Sequence, residues 1–140
     1  MKAYILGGLA ALGLLIATAP VAAHHSFAAE FDADKPITLK GIVTKVEWTN
    51  PHVWFYVNVK DEKTGEVTNW GAEMGPPHGL QRRGWRRETL KIGEQVTVQG
   101  SMAKNGTKRM NASTVTMTST GGRPGETLDA ASSGAANADQ

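Results

Sequence analysis

Cysteine is absent from the sequence of 140 residues, so the fold contains no disulfide bonds and no thiolate metal ligands. The absence also excludes a lipoprotein, which would need a cysteine directly after its leader. The sequence contains no glycine-rich phosphate loop, no G-x-S-x-G elbow and no H-E-x-x-H zinc motif. Ser26 follows His25, but neighbours in sequence do not make a catalytic pair. We therefore predict that the protein is not an enzyme.

Long apolar runs are also missing, with one exception at the N-terminus. The run from Ala3 to Ile16 follows Lys2 and ends in small residues up to Ala23, which is the layout of a secretory signal peptide. The run is shorter than the roughly 20 residues that a membrane-spanning helix needs. No Arg-Arg pair precedes it, so we predict general export. The prediction is a signal peptide over residues 1–23, cleaved between Ala23 and His24, and a periplasmic or secreted protein without an integral membrane segment.

A strong charge of either sign is lacking. The formal net charge of the whole chain is +2, from 15 Lys and Arg against 13 Asp and Glu. Cleavage removes one of these positive charges, that of Lys2, and leaves a nearly neutral mature chain. A polyanion such as nucleic acid is therefore not expected as a partner.

The most regular stretch of the chain runs from Gly41 to Val59 and predicts two strands joined by a corner at Thr49-Asn50-Pro51. In the second strand, apolar residues alternate with His52, Trp54 and Tyr56. Side chains alternate between the two faces of a strand. The aliphatic and phenylalanine side chains therefore belong to the core, and the other three form a row on the solvent side.

The first strand changes its apolar parity near Gly41. Ile37 and Leu39 occupy odd positions, whereas Ile42, Val46 and Trp48, which we assign to the same face, occupy even ones. A shift of one residue turns every later side chain to the opposite face. We therefore predict a bulge or bend at Gly41, where the missing side chain makes it least costly.

Short strands continue along the rest of the chain. Loops with glycine separate them, and Asn105-Gly106 is typical of a hairpin turn. The fifth strand also changes parity. The predicted segments are a hairpin loop over 61–66, a third strand Val67–Met74, a helix His78–Arg83 ended by Gly84, a fourth strand Gln95–Met102 and a fifth strand Met110–Met117.

This order predicts an all-β fold over residues 24–118, a five-stranded OB-like Greek-key barrel with one short helix between strands 3 and 4. Trp85 and Leu90 are expected to close one end of the barrel. Residues 119–140 are rich in Gly, Ser, Ala and Asn with almost no large apolar group. They are predicted to be a disordered low-complexity tail, because they bury too little surface to offset the entropy of ordering.

Four short motifs give a resemblance to a known family. They are His24-His25-Ser26-Phe27, the G-x-V-x-x-V-x-W segment of residues 41–48, Asn50-Pro51-His52, and Arg82-Arg83-Gly84-Trp85 followed by Leu90-Lys91-x-Gly93. Together they resemble a family of small exported bacterial proteins known only as a domain of unknown function. The resemblance implies an exported protein with a compact β-fold and no particular reaction. More loosely, the domain resembles periplasmic OB-fold proteins linked to stress tolerance, at the level of fold only.

The four histidines are candidate metal ligands: His24, His25, His52 and His78. As the first residue, His24 would chelate a metal through its α-amine and its imidazole, and a further imidazole would complete a histidine brace. Such nitrogen sites favour Cu(II). Cleavage one residue earlier would instead place His25 third, in an amino-terminal chelate. The alternative is that these histidines are ordinary surface groups.

A ligand-binding face is the other candidate site. His52, Trp54 and Tyr56 would form its stacking platform, and the arginine-rich segment would supply positive charge for a small or anionic ligand. That segment contributes Arg82, Arg83, Trp85 and Arg86. The alternative is that Phe27 or Phe31 covers the aromatic row, and that the arginines pair with Glu88 and its neighbours.

Two readings of function follow. The first is an exported, non-enzymatic binding or stress-related domain of unknown ligand. The second is a periplasmic copper-binding protein that uses His24 with His25, His52 or His78. A copper oxidoreductase built on the same ligands is a distant third.

Overall fold

The computed structural model describes residues 27–118 and 125–131. The predicted signal peptide, His24, His25 and most of the predicted tail lie outside these ranges. The described residues form six strands and two short helices. In chain order the elements are α1 (Phe27–Glu30), β1 (Phe31–Glu47), β2 (Trp54–Lys60), β3 (Val67–Glu73), α2 (Pro77–Arg82), β4 (Gln95–Ala103), β5 (Arg109–Met117) and β6 (Thr127–Asp129).

The strands form one sheet in the order β3-β2-β1-β4-β5-β6, in which neighbouring strands are antiparallel. A further, parallel pairing joins β3 to β5, with Gly71 opposite Arg109 and Glu73 opposite Asn111. This pairing connects the first five strands in a ring of hydrogen bonds. The long β1 makes the ring possible, because its first half pairs with β4 and its second half with β2.

The alternation predicted for β2 is confirmed. Val53, Phe55 and Val57 are completely buried, and they join a single apolar core with residues from every side of the ring. His52, Trp54 and Tyr56 are only partly buried on the opposite face, which we call the outer face. The core also includes Leu80 of α2.

The predicted bulge in the first strand lies at a different residue. The pairing of β1 with β2 shifts between Val43 and Lys45, not at Gly41. Val43 is therefore buried, and Ile42 is 49% exposed, which corrects the prediction that Ile42 faces the core. Gly41 has another role: a Cβ atom there would lie 2.5 Å from the backbone oxygen of Asn58. The glycine thus permits close approach of β1 and β2, which its position in the sequence alone could not reveal.

The parity change in the fifth strand is confirmed as a bulge. Gln99 pairs with Thr114 and Gly100 pairs with Ala112, so Ser113 is the extra residue of β5. The Ser113 hydroxyl donates a 3.0 Å hydrogen bond to the Gln99 carbonyl. On both sides of the bulge apolar residues face the core, since Ala112 and Val115 are completely buried.

The sixth strand corrects both the predicted strand number and the predicted tail. β6 pairs with the second half of β5, along the edge where β3 has already separated from it. Gly75 donates to the Ala130 carbonyl at 3.0 Å, and the Trp85 indole donates to the Asp129 carbonyl at 2.7 Å. Composition did not predict this strand, because its backbone hydrogen bonds and the packing of Leu128 and Ala130 on the core both depend on distant residues.

We expect Gly100→Ala to destabilise the protein by at least about 2 kcal/mol. An added Cβ would lie 2.9 Å from the carbonyl carbon of Asn111, and backbone atoms at a bulge cannot move aside easily. The free energy of unfolding in urea measures the effect. Gly79→Ala is the matched control, because its Cβ would meet only Pro76 at 3.5 Å and alanine favours the helix. Equal stability of the two variants would contradict the close approach seen at Gly100.

Candidate functional site

An ion pair between His52 and Glu73 lies at the centre of the outer face. The Nδ1 atom of His52 is 2.5 Å from the Oε1 atom of Glu73. Backbone hydrogen bonds from Val53 to the Gly75 carbonyl and from Met74 to the Val53 carbonyl extend the pairing of β2 and β3 beyond Trp54. These bonds hold the histidine beside the end of β3, where the Glu73 side chain projects. The pair is therefore fixed by the sheet rather than by a mobile loop.

Glu73 is buried although it belongs to the outer face. The residue is only 6% exposed, whereas the His52 side chain is 29% exposed. Burial raises the pKa of the Glu73 carboxyl, and the charge of Glu30 raises it further. His52 and, to a smaller extent, Arg109 lower it, because positive charges favour the carboxylate. A buried carboxylate with a positive partner is characteristic of a site in which orientation matters.

Trp54 lies directly opposite Glu73 in the sheet, and the guanidinium of Arg109 stacks over its ring. The guanidinium carbon of Arg109 is 4.4 Å from the centre of the Trp54 ring. The two residues are brought together by the parallel pairing that places Arg109 opposite Gly71. Gly71 matters here because a Cβ would be 3.6 Å from the Trp54 ring and 3.3 Å from the Tyr56 ring. Both rings therefore lie against the bare backbone of β3.

Tyr56 contacts two charged side chains of β1, Glu47 and Lys45. Its hydroxyl donates a 3.1 Å hydrogen bond to Glu47, and the Lys45 ammonium lies 5.4 Å from its ring centre. Lys45 also forms an ion pair with Glu47, and its hydrogen bond lowers the pKa of that exposed carboxyl. The row of His52, Trp54 and Tyr56 predicted from the sequence is thus present, and each member has a charged neighbour. A ligand would meet those charges together with the ring faces.

The N-terminal segment enters the fold near this site. Lys104 binds α1 twice: its backbone N–H donates to the Glu30 carbonyl at 2.9 Å, and its ammonium to the Ala28 carbonyl at 2.5 Å. Phe27 and Phe31 stack on each other, with ring centres 5.9 Å apart. The charge of Glu30, the last residue of α1, raises the pKa of the Glu73 carboxyl.

The arginine-rich segment, which was expected to supply positive charge for an anionic ligand, is bonded largely to the protein itself. Arg83 donates to the Ala131 carbonyl and pairs with Asp129 at 3.7 Å, and Arg86 donates to the carbonyls of Trp85 and Gln81. These bonds fasten α2, the following loop and the segment of β6 together. Arg82 is exposed.

Trp85 is completely buried in the core. Its ring is therefore not part of any exposed surface. The burial agrees with the expectation that Trp85 and Leu90, which is 5% exposed, close one end of the fold.

Of the four predicted metal ligands, the structure describes two. His52 is paired with Glu73 and His78 is exposed on α2, whereas His24 and His25 lie outside the described residues. Within residues 27–118 and 125–131, no three His, Asp or Glu side chains cluster as a metal site would require. Among the same residues, no helix is long and apolar enough to cross a membrane.

Two residues of this site were missed by sequence reasoning. Glu73 belongs to the polar side of the predicted third strand, and Arg109 lies just before the predicted fifth strand, so neither was a candidate site residue. The acidic residue in an otherwise apolar strand end, Trp70 to Met74, was a usable signal. Arg109 gave no local signal, because its contact with Trp54 depends on the pairing of β3 with β5.

Fold and site together define a small, mainly β protein whose outer face carries a histidine–carboxylate pair next to a cation-bearing tryptophan. The chain belongs to a family of unknown function, DUF6152, whose family model matches residues 11–112. The uncharacterised family expected from the motifs is therefore confirmed at that level. No curated protein matches the chain.

Burial of Glu73 predicts a pH dependence of stability. Because its folded pKa is raised, the stability it contributes is greatest below the ordinary value of about 4.5 and falls as pH rises through the folded value. Glu73→Gln removes this ionisation. We expect the stability of the wild type relative to Glu73→Gln to be greatest at acidic pH, below about 4.5, and to fall as the pH is raised towards neutral.

Urea unfolding across that pH range measures the difference. Glu62→Gln is the control, because Glu62 is exposed in the loop between β2 and β3 and its replacement removes one carboxylate from the surface. A wild-type advantage over Glu73→Gln that is constant, or that grows with pH, would contradict the account of a carboxyl destabilised by burial.

Proposed function

We propose that this protein is an exported, non-enzymatic binding protein with an OB-like Greek-key barrel, and that it binds Cu(II) through His52 and its N-terminal histidines. Export is supported by the leader-like residues 1–23, and a non-enzymatic role by the lack of a catalytic motif in the sequence. The barrel is supported by the ring of five strands with its parallel β3–β5 closure. A stress-related role would then consist of sequestering the metal outside the cytoplasm.

The observation that carries the proposal is the 2.5 Å contact between His52 Nδ1 and Glu73 Oε1. A carboxylate at Nδ1 retains the proton there, so the lone pair of the neutral imidazole is at Nε2. Metal-binding histidines commonly have this arrangement, with the second nitrogen bonded to a carboxylate that fixes the ring. Glu73 is the buried partner and His52 the more exposed one, so the pair is oriented for an external ligand.

The remaining ligands would come from the start of the mature chain. His25 is two residues before Phe27, so its Cα lies at most about 7 Å from that of Phe27, and His24 at most about 11 Å. Phe27 opens α1, which Lys104 binds at the Ala28 and Glu30 carbonyls. This reach, together with the effect of the Glu30 charge on the pKa of Glu73, supports a shared site with His52. In the part of the chain that the structure describes, no carboxylate lies within ion-pair distance of His78.

The chemistry of these donors favours Cu(II). An N-terminal His24 offers its α-amine and its imidazole to one ion, and Nε2 of His52 would supply a third nitrogen. Tetragonal nitrogen sites are preferred by Cu(II), which is also the strongest binder among the common divalent ions. The α-amine has an ordinary pKa near 8, and binding of the metal displaces its proton at neutral pH.

A Cu(II) titration of the natively processed protein tests the proposal, after mass spectrometry has established its first residue. We expect tight one-to-one binding, at least about tenfold weaker in His52→Ala because one of three nitrogen ligands is lost. His78→Ala is the matched control and should bind as the wild type does. A Gly-Ser extension before His24 should abolish tight binding. Tight binding that survives both His52→Ala and the extension would contradict the site.

A second prediction concerns the anchor of α1. Lys104→Met removes the ammonium that donates to the Ala28 carbonyl but retains an apolar stem of similar length. If the N-terminus ligates the metal, a less firmly held α1 should weaken Cu(II) binding several-fold, because ordering the segment then costs more entropy. Lys63→Met, in the exposed loop 61–66, is the control. The effect should vanish in the extended protein, and an equal effect in both proteins would argue against N-terminal ligation.

A further inference from the structure

A second candidate site adjoins α1. A cavity of about 160 Å³ opens between the α1–β1 junction and the hairpin that joins β4 to β5. Its lining combines apolar residues, among them Ala29, Phe31 and Ala103, with the polar Asn105, Thr107 and Arg109. We propose that this cavity binds a small organic monocarboxylate, with Arg109 as the residue that receives the carboxylate.

The state of Arg109 carries the inference. Its guanidinium stacks on Trp54 at 4.4 Å, and no carboxylate of the described residues lies within ion-pair distance of it. Stacking covers a planar face of the guanidinium and leaves the in-plane N–H groups to bind a ligand. A stacked, oriented guanidinium matches a carboxylate through two parallel hydrogen bonds.

Other cations near the site are already engaged. Lys104 donates to the Ala28 carbonyl, Lys45 pairs with Glu47, and Arg83 pairs with Asp129. Arg109 lines the cavity and has a ring contact with Trp54, but among the described residues it has no carboxylate partner of the kind that Lys45 and Arg83 have. The arginine selected by the structure as an anion site is therefore not one of those in the Arg82–Arg87 segment.

Size and charge indicate the class of ligand. A cavity of about 150 Å³ in a protein core can hold a molecule the size of benzene. The apolar side formed by Phe31 and Ala103 suits a short hydrocarbon body. Of the two cations in the lining, Lys104 already donates to the Ala28 carbonyl, so Arg109 is the one that can receive a carboxylate. A monocarboxylate with a short hydrocarbon body is therefore favoured over phosphate or a dicarboxylate.

The test uses the metal-free, full-length mature protein in the presence of a chelator, so that its outcome is independent of Cu(II) binding. Butyrate and benzoate are the probes, and inorganic phosphate is the comparison anion. Tryptophan fluorescence and amide chemical shifts report binding, because a carboxylate on Arg109 would alter the surroundings of Trp54. We expect saturable binding of a probe, weakened about tenfold or more in Arg109→Gln by loss of the charged hydrogen bonds.

Arg87→Gln is the matched control. Arg87 is exposed in the loop after α2, so this substitution removes the same charge at a position outside the cavity. Ala29→Leu keeps Arg109 and should weaken binding by filling the cavity. Thermal unfolding of each variant verifies its fold. The proposal would be overturned by any of three results: no saturable change up to about 10 mM probe, equal affinity of wild type and Arg109→Gln, or phosphate binding as tightly as the carboxylates.

Discussion

The parallel pairing of β3 with β5 is the contact on which both candidate sites depend. It joins residues more than 35 positions apart in the chain, from Gly71–Glu73 to Arg109–Asn111, and closes the ring of five strands. Without it, Trp54 and Arg109 would have no reason to meet, and Glu73 would lie on an open sheet edge exposed to water. Closing the ring of strands therefore affects the outer face beyond the few backbone hydrogen bonds that join β3 to β5. It creates the sheltered strip of outer face on which a histidine, a carboxylate and a guanidinium are neighbours.

Glu73 shows how this sheltering has a chemical consequence. A carboxylate withdrawn from water is costly unless it is paired, and here the partner is the half-exposed His52. Burial and the nearby Glu30 raise the pKa of Glu73, while His52 acts in the opposite direction. The imidazole of His52 has a fixed orientation, because the sheet holds both His52 and Glu73 in place. An apolar residue at position 73 would avoid the free-energy cost of burying a carboxylate. We therefore connect the His52–Glu73 pair with binding rather than with folding.

The two candidate sites are neighbours and differ in chemistry. The histidine–carboxylate pair presents a nitrogen donor, whereas Arg109 presents N–H donors. Lys104 fastens α1 beside the cavity that Arg109 lines. The arginine-rich motif, which looked like the obvious anion site, instead fastens the segment of β6 to the fold through Arg83, Trp85 and Arg86. A conspicuous sequence motif can thus have a structural role, and a candidate binding residue can lie outside every motif.

Sequence by itself determined the strand pattern, because alternation of buried and exposed side chains is a local property. It was enough to place β2 with its core residues Val53, Phe55 and Val57 and the outer row His52, Trp54 and Tyr56, and to place the bulge of β5. Tertiary structure alone decided the bulge position in β1, the burial of Glu73, the partner of Arg109 and the existence of β6. Each of these depends on which backbone or charge lies opposite after the ring has closed. Such contacts join distant parts of the chain, and neither the spacing nor the composition of a single segment records them.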